Sequence, residues 1–181
     1  MEFFKAVRLL TCIIICELAA SVGSFFTVPQ INGWYRTLEK PTFNPPNWIF
    51  GPVWTVIFVL MGISLYLVWD KKWAVANKIR FGSRPATNEW AGKGLLGAWK
   101  KQHIILIFCV QLFLNVLWSF VFFALHKPGG AFIVLLALWL AILLTIGNFY
   151  RVSKTAAALL APYILWVSFA AVLNYYILIL N

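Results

Sequence analysis

Five runs of about 20 residues carry almost no charge, and that is the length a helix needs to cross roughly 30 Å of hydrocarbon. They fall near residues 9–29, 48–69, 104–125, 131–150 and 155–180. The chain is 62% hydrophobic and only 11% charged, whereas about a quarter of a soluble domain is charged. Such an excess cannot be hidden inside one small globule, so lipid must be the solvent. Inside lipid the backbone has to satisfy its own hydrogen bonds, which leaves helices or a closed barrel. Barrel strands show short alternating segments, and these runs do not alternate. The expected fold is an all-α integral membrane protein, residues 1–181 forming one bundle of five transmembrane helices. The first run imitates a cleavable signal peptide, with Lys5 and Arg8 ahead of it and small residues at Ala19–Gly23. Its apolar character continues through Phe25, Phe26 and Val28 to Pro29, so it is kept as a span.

A formal charge of +10 would suit nucleic acid if the basic residues were spread evenly. They are not. Five spans put the N-terminus and the loops at 70–103 and 151–154 on one side, which then holds twelve of the fifteen Lys and Arg. Only Arg36, Lys40 and Lys127 fall opposite. The positive-inside rule then places the N-terminus in the cytoplasm and the C-terminus outside, and no nucleic acid is needed to explain the charge. The basic loop 70–103, with Trp73, Phe81, Trp90 and Trp99, is expected on an anionic membrane surface. Gly82, Pro85, Gly92, Gly94 and Gly97 are expected to break any long helix there. Cys12, Cys16 and Cys109 all lie in apolar runs, make no metal or disulfide pattern, and read as small buried residues. His103 and His126 fall on opposite sides of the membrane and do not read as a haem-ligating pair.

Between the first two runs lies WYRTLEKPTFNPPNWIFGPVW, Trp34 to Trp54. Pro41, Pro45, Pro46 and Pro52 fix φ, remove donors and disfavour helix in the residues before them. The stretch is therefore expected to be neither helix nor central strand. It should form a stiff lid over residues 30–47, its aromatic rings suited to the level where lipid meets water. Glu17 is the one acid inside a run. Ionised at mid-membrane it would be costly, so it must be protonated or paired. A helix–helix hydrogen bond to Gln111, Asn115 or Asn148 is the favoured reading, ahead of a functional acid. In the third run Gln111, Asn115 and Ser119 recur every four residues and share a face that should point into the bundle. Tyr163, Trp166, Ala170 and Asn174 do the same in the fifth, where Pro162 should bend the helix.

No phosphate loop, HExxH, GxSxG or paired carboxylates at catalytic spacing are present. The chain offers flat apolar surfaces instead, with 10 Trp, 6 Tyr and 16 Phe, and an aromatic cavity suits a flat hydrophobic ligand. Three motifs, in order, resemble the TspO/translocator protein family. Trp34, Tyr35, Leu38, Lys40, Pro41, Pro45, Pro46, Pro52 and Trp54 match its first loop and second helix. LFLNVLW, Leu112 to Trp118, is similar to its third helix, and PYILWVSFAAVLNYY, Pro162 to Tyr176, to its fifth. The resemblance implies a five-helix bundle that binds porphyrins such as protoporphyrin IX, with no resident cofactor or metal. It places Trp54 and Trp166 in the ligand pocket, Tyr35 and Pro45 in the loop that closes it, Asn115 and Trp118 on the third helix, and Ala170 beside the ligand. It implies a protein that senses, sequesters or transports porphyrin. The alternatives are an enzyme degrading porphyrin with light and oxygen, using Trp54 and Trp166 as redox groups, or a stress regulator acting through a protein partner. Two departures stand out. Tyr176 is followed by no basic residue, so the family's sterol-recognition pattern is incomplete. Ile104 to Val110 holds no glycine, so a homodimer, which stays open, would lack the GxxxG approach some relatives use.

Overall fold

A computed structural model describes the backbone of residues 2–70 and 89–181 and the side chains of residues 2–70 and 102–181. The helices are α1 (Glu2–Ile31), α2 (Trp34–Thr37), α3 (Phe50–Asp70), α4 (Glu89–Ser119), α5 (Pro128–Val152), α6 (Lys154–Ala158) and α7 (Ala161–Leu180). A 3₁₀ turn, Asn47–Ile49, leads into α3, and a π-turn, Phe120–Ala124, ends α4. No strand occurs among the described residues. Five helical segments are long and apolar enough to cross a membrane: Glu2–Ile31, Asn47–Asp70, Gln102–Ala124, Pro128–Val152 and Lys154–Leu180. Large apolar side chains line the outside, with Phe25 75%, Ile133 69% and Leu165 69% exposed. Water would penalise such a surface and hydrocarbon does not. The chain is an integral, multi-pass bundle.

The first span starts earlier than its apolar run, because α1 begins at Glu2 and carries Lys5 and Arg8. Hydropathy marks where a helix meets lipid, not where its backbone bonds begin. Lys5 donates to Glu2 at 2.9 Å, and Arg8 reaches Asp70 of α3 at 3.1 Å. At the other end the helix passes Pro29 and stops at Ile31. The expected break-up of 70–103 by glycines does not hold across Gly92, Gly94 and Gly97, where α4 is already helical. A helix-interior glycine costs only about 1 kcal/mol relative to alanine and forbids nothing. The expected surface placement of the basic residues and of Trp73, Phe81, Trp90 and Trp99 concerns side chains outside the described residues. Pro162 lies in the first turn of α7, beyond a break at Leu159–Leu160. The break splits the fifth span in two, so the expected bend is present.

Around the bundle the order is α1, α3, the α6–α7 pair, α5, α4, and α4 packs back on α1. The main apolar core lies away from the lid and includes Cys16, Met61, Phe108, Leu138 and Phe149. A second cluster gathers Tyr35, Phe122, Phe123, Ala131, Leu173 and Ile177 beneath the lid. Cys12 and Cys16 are buried as expected, but Cys109 is exposed on the outer face of α4. Among the described glycines the tightest helix–helix approach is at Gly62, where a Cβ would stand 2.6 Å from Ile13 Cα. Only a hydrogen fits there. Gly62→Ala must force α1 away, at a cost of about 1–3 kcal/mol. At Gly147 a Cβ would meet nothing within 4 Å, so Gly147→Ala should leave stability unchanged or slightly raised. Thermal unfolding of the two variants in one detergent tests the contrast.

Candidate functional site

Between the two apolar clusters lies a cavity of ≈ 210 Å³. Trp54 and Phe58 of α3, Asn115, Trp118 and Ser119 of α4, and Trp166 and Ala170 of α7 form much of its wall. No charged side chain lines it. Polar contacts fix the indoles. Trp118 donates from Nε1 to Asn174 Oδ1 at 3.2 Å, and Asn174 Nδ2 in turn donates to the Pro128 carbonyl at 2.9 Å. Asn115 Nδ2 donates to the Tyr163 hydroxyl at 3.1 Å, and the Tyr163 ring meets Trp54 edge-on at 6.3 Å. Trp166 lies edge-on to Phe50 at 6.0 Å. Gln111, Asn115 and Ser119 are all buried, so the four-residue periodicity of that helix does mark its inner face.

The lid forms the roof. The expectation that it holds no helix is corrected by α2, a single turn that ends at Thr37, before the first proline. Its Tyr35 is 4% exposed and leans on Phe122 and Phe123 at 6.2 and 5.8 Å. The Tyr35 hydroxyl donates to Asn44 Oδ1 at 2.9 Å, and Lys40 Nζ sits 4.8 Å above the ring. Trp34 stacks on His126 at 4.4 Å. His126 has φ 53°, a left-handed conformation that costs a non-glycine residue about 1–2 kcal/mol. Across the roof the Glu39 N–H donates to Asn181 Oδ1 at 2.9 Å, Asn181 Nδ2 returns a bond to the Glu39 carbonyl at 3.1 Å, and Phe43 meets Tyr176 at 5.2 Å.

Of the residues singled out in the sequence, Tyr35, Trp54, Asn115, Trp118, Trp166 and Ala170 line this cavity. Pro45 does not; its carbonyl accepts from Asn44 Nδ2 at 3.1 Å, so it braces the side chain that holds Tyr35. The Glu17 pairing is not found. Asn115 is committed to Tyr163, and Asn148 donates to Leu144 within its own helix. Glu17 Oε1 and both polar atoms of the Gln111 side chain are buried without partners. Sequence reasoning missed the α1 wall, Gly23, Ser24 and Thr27, because its small residues looked like a cleavage site. It also missed Phe122 and Phe123. An ordinary helix turns adjacent residues about 100° apart, but the π-turn, with the Leu125 N–H donating to the Phe120 carbonyl at 3.1 Å, puts both on the wall.

Burial pushes the Tyr35 phenol up to about 12, a rise the bond to Asn44 partly offsets. The phenol therefore remains a neutral donor throughout the physiological range. Its unfolded pKa is near 10. The stabilisation by the neutral form is fully present below about pH 10 and is lost between about pH 10 and about pH 12. Tyr35→Phe should cost about 0.5–1.5 kcal/mol at neutral pH. The difference in stability between the native chain and Tyr35→Phe should be flat up to about pH 9 and shrink above about pH 10, which thermal unfolding across pH would read.

The TspO/MBR family profile matches residues 12–180. The tryptophan-rich protein TspO of Chlorobaculum tepidum is 38% identical over 177 residues, covering 98% of each chain. A protein of the same name from Archaeoglobus fulgidus is 39% identical over 88% of this chain and 87% of its own. The human translocator protein is 32% identical over 87% of this chain and 83% of its own. With the profile spanning nearly every residue, and with five apolar helices closed by a proline-rich lid, this chain belongs to the TspO/MBR family.

Proposed function

We propose that this chain binds a tetrapyrrole of the protoporphyrin IX type in the cavity under the lid, and so senses, sequesters or transports porphyrin across or within a cell membrane. One observation carries the reading: three indoles from three different helices, Trp54, Trp118 and Trp166, wall a single uncharged cavity. Flat apolar faces with a few convergent polar groups suit a planar hydrophobic ligand. Asn115 and Ser119 are those polar groups, able to orient ring nitrogens or edge substituents, while both ends of the Asn174 amide are taken by Trp118 and the Pro128 carbonyl. A volume of ≈ 210 Å³ is below the roughly 300–1,000 Å³ of drug-sized sites. A macrocycle would therefore have to raise the lid or reach past the wall. In this reading the lid faces the non-cytoplasmic side of the membrane, which the crowding of arginines and lysines on the N-terminal side supports. The names of the relatives, which speak of translocation and of tryptophan, accord with this reading.

Titration of the full chain in lipid nanodiscs with protoporphyrin IX should quench intrinsic tryptophan fluorescence saturably. Trp54→Ala and Trp166→Ala should each weaken binding by about tenfold or more, the equivalent of roughly 1.4 kcal/mol for a lost aromatic face. Native affinity in both variants would refute the pocket.

A further inference from the structure

We propose that the cavity is loaded sideways from the bilayer, through a slit between α1 and α3, and that its ligand is therefore a membrane-dissolved planar molecule that arrives along the hydrocarbon and does not need the lid to open. The proposal rests on the tetrapyrrole reading only for the choice of ligand.

The cavity wall is not equally covered on all sides. Asn115, Ser119, Phe122 and Phe123 on the α4 side are buried, and so are Leu173 and Asn174 on α7. The wall residues that face the surrounding solvent are instead Ser24 and Val28 of α1, with Gly51 and Thr55 of α3 and Asn47 just ahead of it. Four of these five stand on the two edges of one gap. The helix contacts explain why the gap exists. The Arg8–Asp70 ion pair and the crossing of Gly62 against Ile13 join α1 to α3 in the half away from the lid. Gly23 is drawn instead toward α4, where a Cβ would meet Ser119 Oγ at 3.3 Å. The two helices run antiparallel. Counted from the crossing, Ser24 and Gly51 are each eleven residues away, about 16 Å at 1.5 Å per residue. They face each other at one level with almost no side chain between them. A Cβ at Gly51 would meet nothing within 4 Å. Ser24 and Gly51 lie within the segments Glu2–Ile31 and Asn47–Asp70 that are long and apolar enough to cross a membrane, so in this proposal the gap opens onto acyl chains.

The other routes are closed. Above the cavity, Tyr35 is packed on Phe122 and Phe123, and the roof is tied down by the Glu39–Asn181 bonds. Toward the α3–α7 seam, Trp166 separates the cavity from an outer groove of ≈ 520 Å³ that Val56 and Leu165 also line. A lipid-soluble macrocycle would need to break several contacts to pass the lid or Trp166, and fewer beside Gly51, where a Cβ would meet nothing within 4 Å.

The test is kinetic, with the full chain in nanodiscs and protoporphyrin IX preloaded into the lipid. Stopped-flow quenching gives association and dissociation rates, and titration gives the dissociation constant. A plug in the slit, Gly51→Leu or separately Val28→Phe, should slow association and dissociation alike by roughly tenfold, because a narrowed entrance raises one barrier for both directions, whereas a merely weakened pocket would speed dissociation. Val56→Phe with Leu165→Phe, which fills the outer groove, should change neither rate. Two plug positions, one on each edge of the gap, are used so that one misfolded variant does not decide the matter; Val28 is 62% exposed, so a larger apolar side chain there need not disturb the core. Native rates in the plugged variants, a loss confined to association that merely mirrors lost affinity, or slowing by the groove variant would each overturn the slit. Absence of saturable binding by the native chain would instead overturn the tetrapyrrole reading, and the slit with it.

Discussion

The bundle is organised by one contact, the crossing of α1 and α3 at Gly62. Lipid tails are as apolar as leucine, so nothing resembling the hydrophobic effect in water drives these helices together. Association relies on close packing, and the closest packing comes where one backbone touches another through a hydrogen alone. Helices are stiff rods, so a contact this tight at one level fixes their separation at others. The cavity lies on the lid side of this crossing, walled by α1, α3, α4 and α7.

What the crossing does not hold, a few buried hydrogen bonds do. Ser64 Oγ donates to the Ala156 carbonyl at 2.7 Å, which joins α3 to α6. Trp139 Nε1 donates to Ser168 Oγ at 2.9 Å, which joins α5 to α7. Asn115 to Tyr163 joins α4 to α7, and Asn174 to the Pro128 carbonyl ties α7 to the start of α5. Each of these bonds links different helices, and the last two stand at or beside the cavity. Asn115, which could orient a ligand, is already part of the frame, so the pocket is pre-organised by the interactions that assemble the bundle.

The fold was legible because its cause is simple: apolar run length sets span number, and the spans agree with the helices to within a few residues except at Glu2 and Glu89, where α1 and α4 begin well ahead of their apolar runs. Part of the cavity wall was legible too. Asn115 and Ser119 were turned inward by period alone, and the Trp54, Trp118 and Trp166 positions were given by resemblance. The failures have physical origins. Pro45 was placed in the loop that closes the pocket, and it stands in that loop but off the cavity wall, bonded through its carbonyl to Asn44. Glu17 was given partners that Tyr163 and Leu144 claim. Gly92, Gly94 and Gly97 were read as breakers in a helix that tolerates them. The openness at Gly51 could not be read at all, because it depends on how two helices are spaced and no local pattern records that.

The π-turn at Phe120–Ala124 carries a consequence of another kind. It stores one surplus residue in α4, without which the chain would pair in ordinary helical register. Removing Val121 would leave every side chain named on the wall intact and would even regularise the backbone. Yet everything downstream of the deletion would rotate by about 100° about the helix axis, carrying Phe123 off the wall and His126 away from Trp34. At this place the chain specifies its roof by counting residues, and a length change would do what few substitutions could.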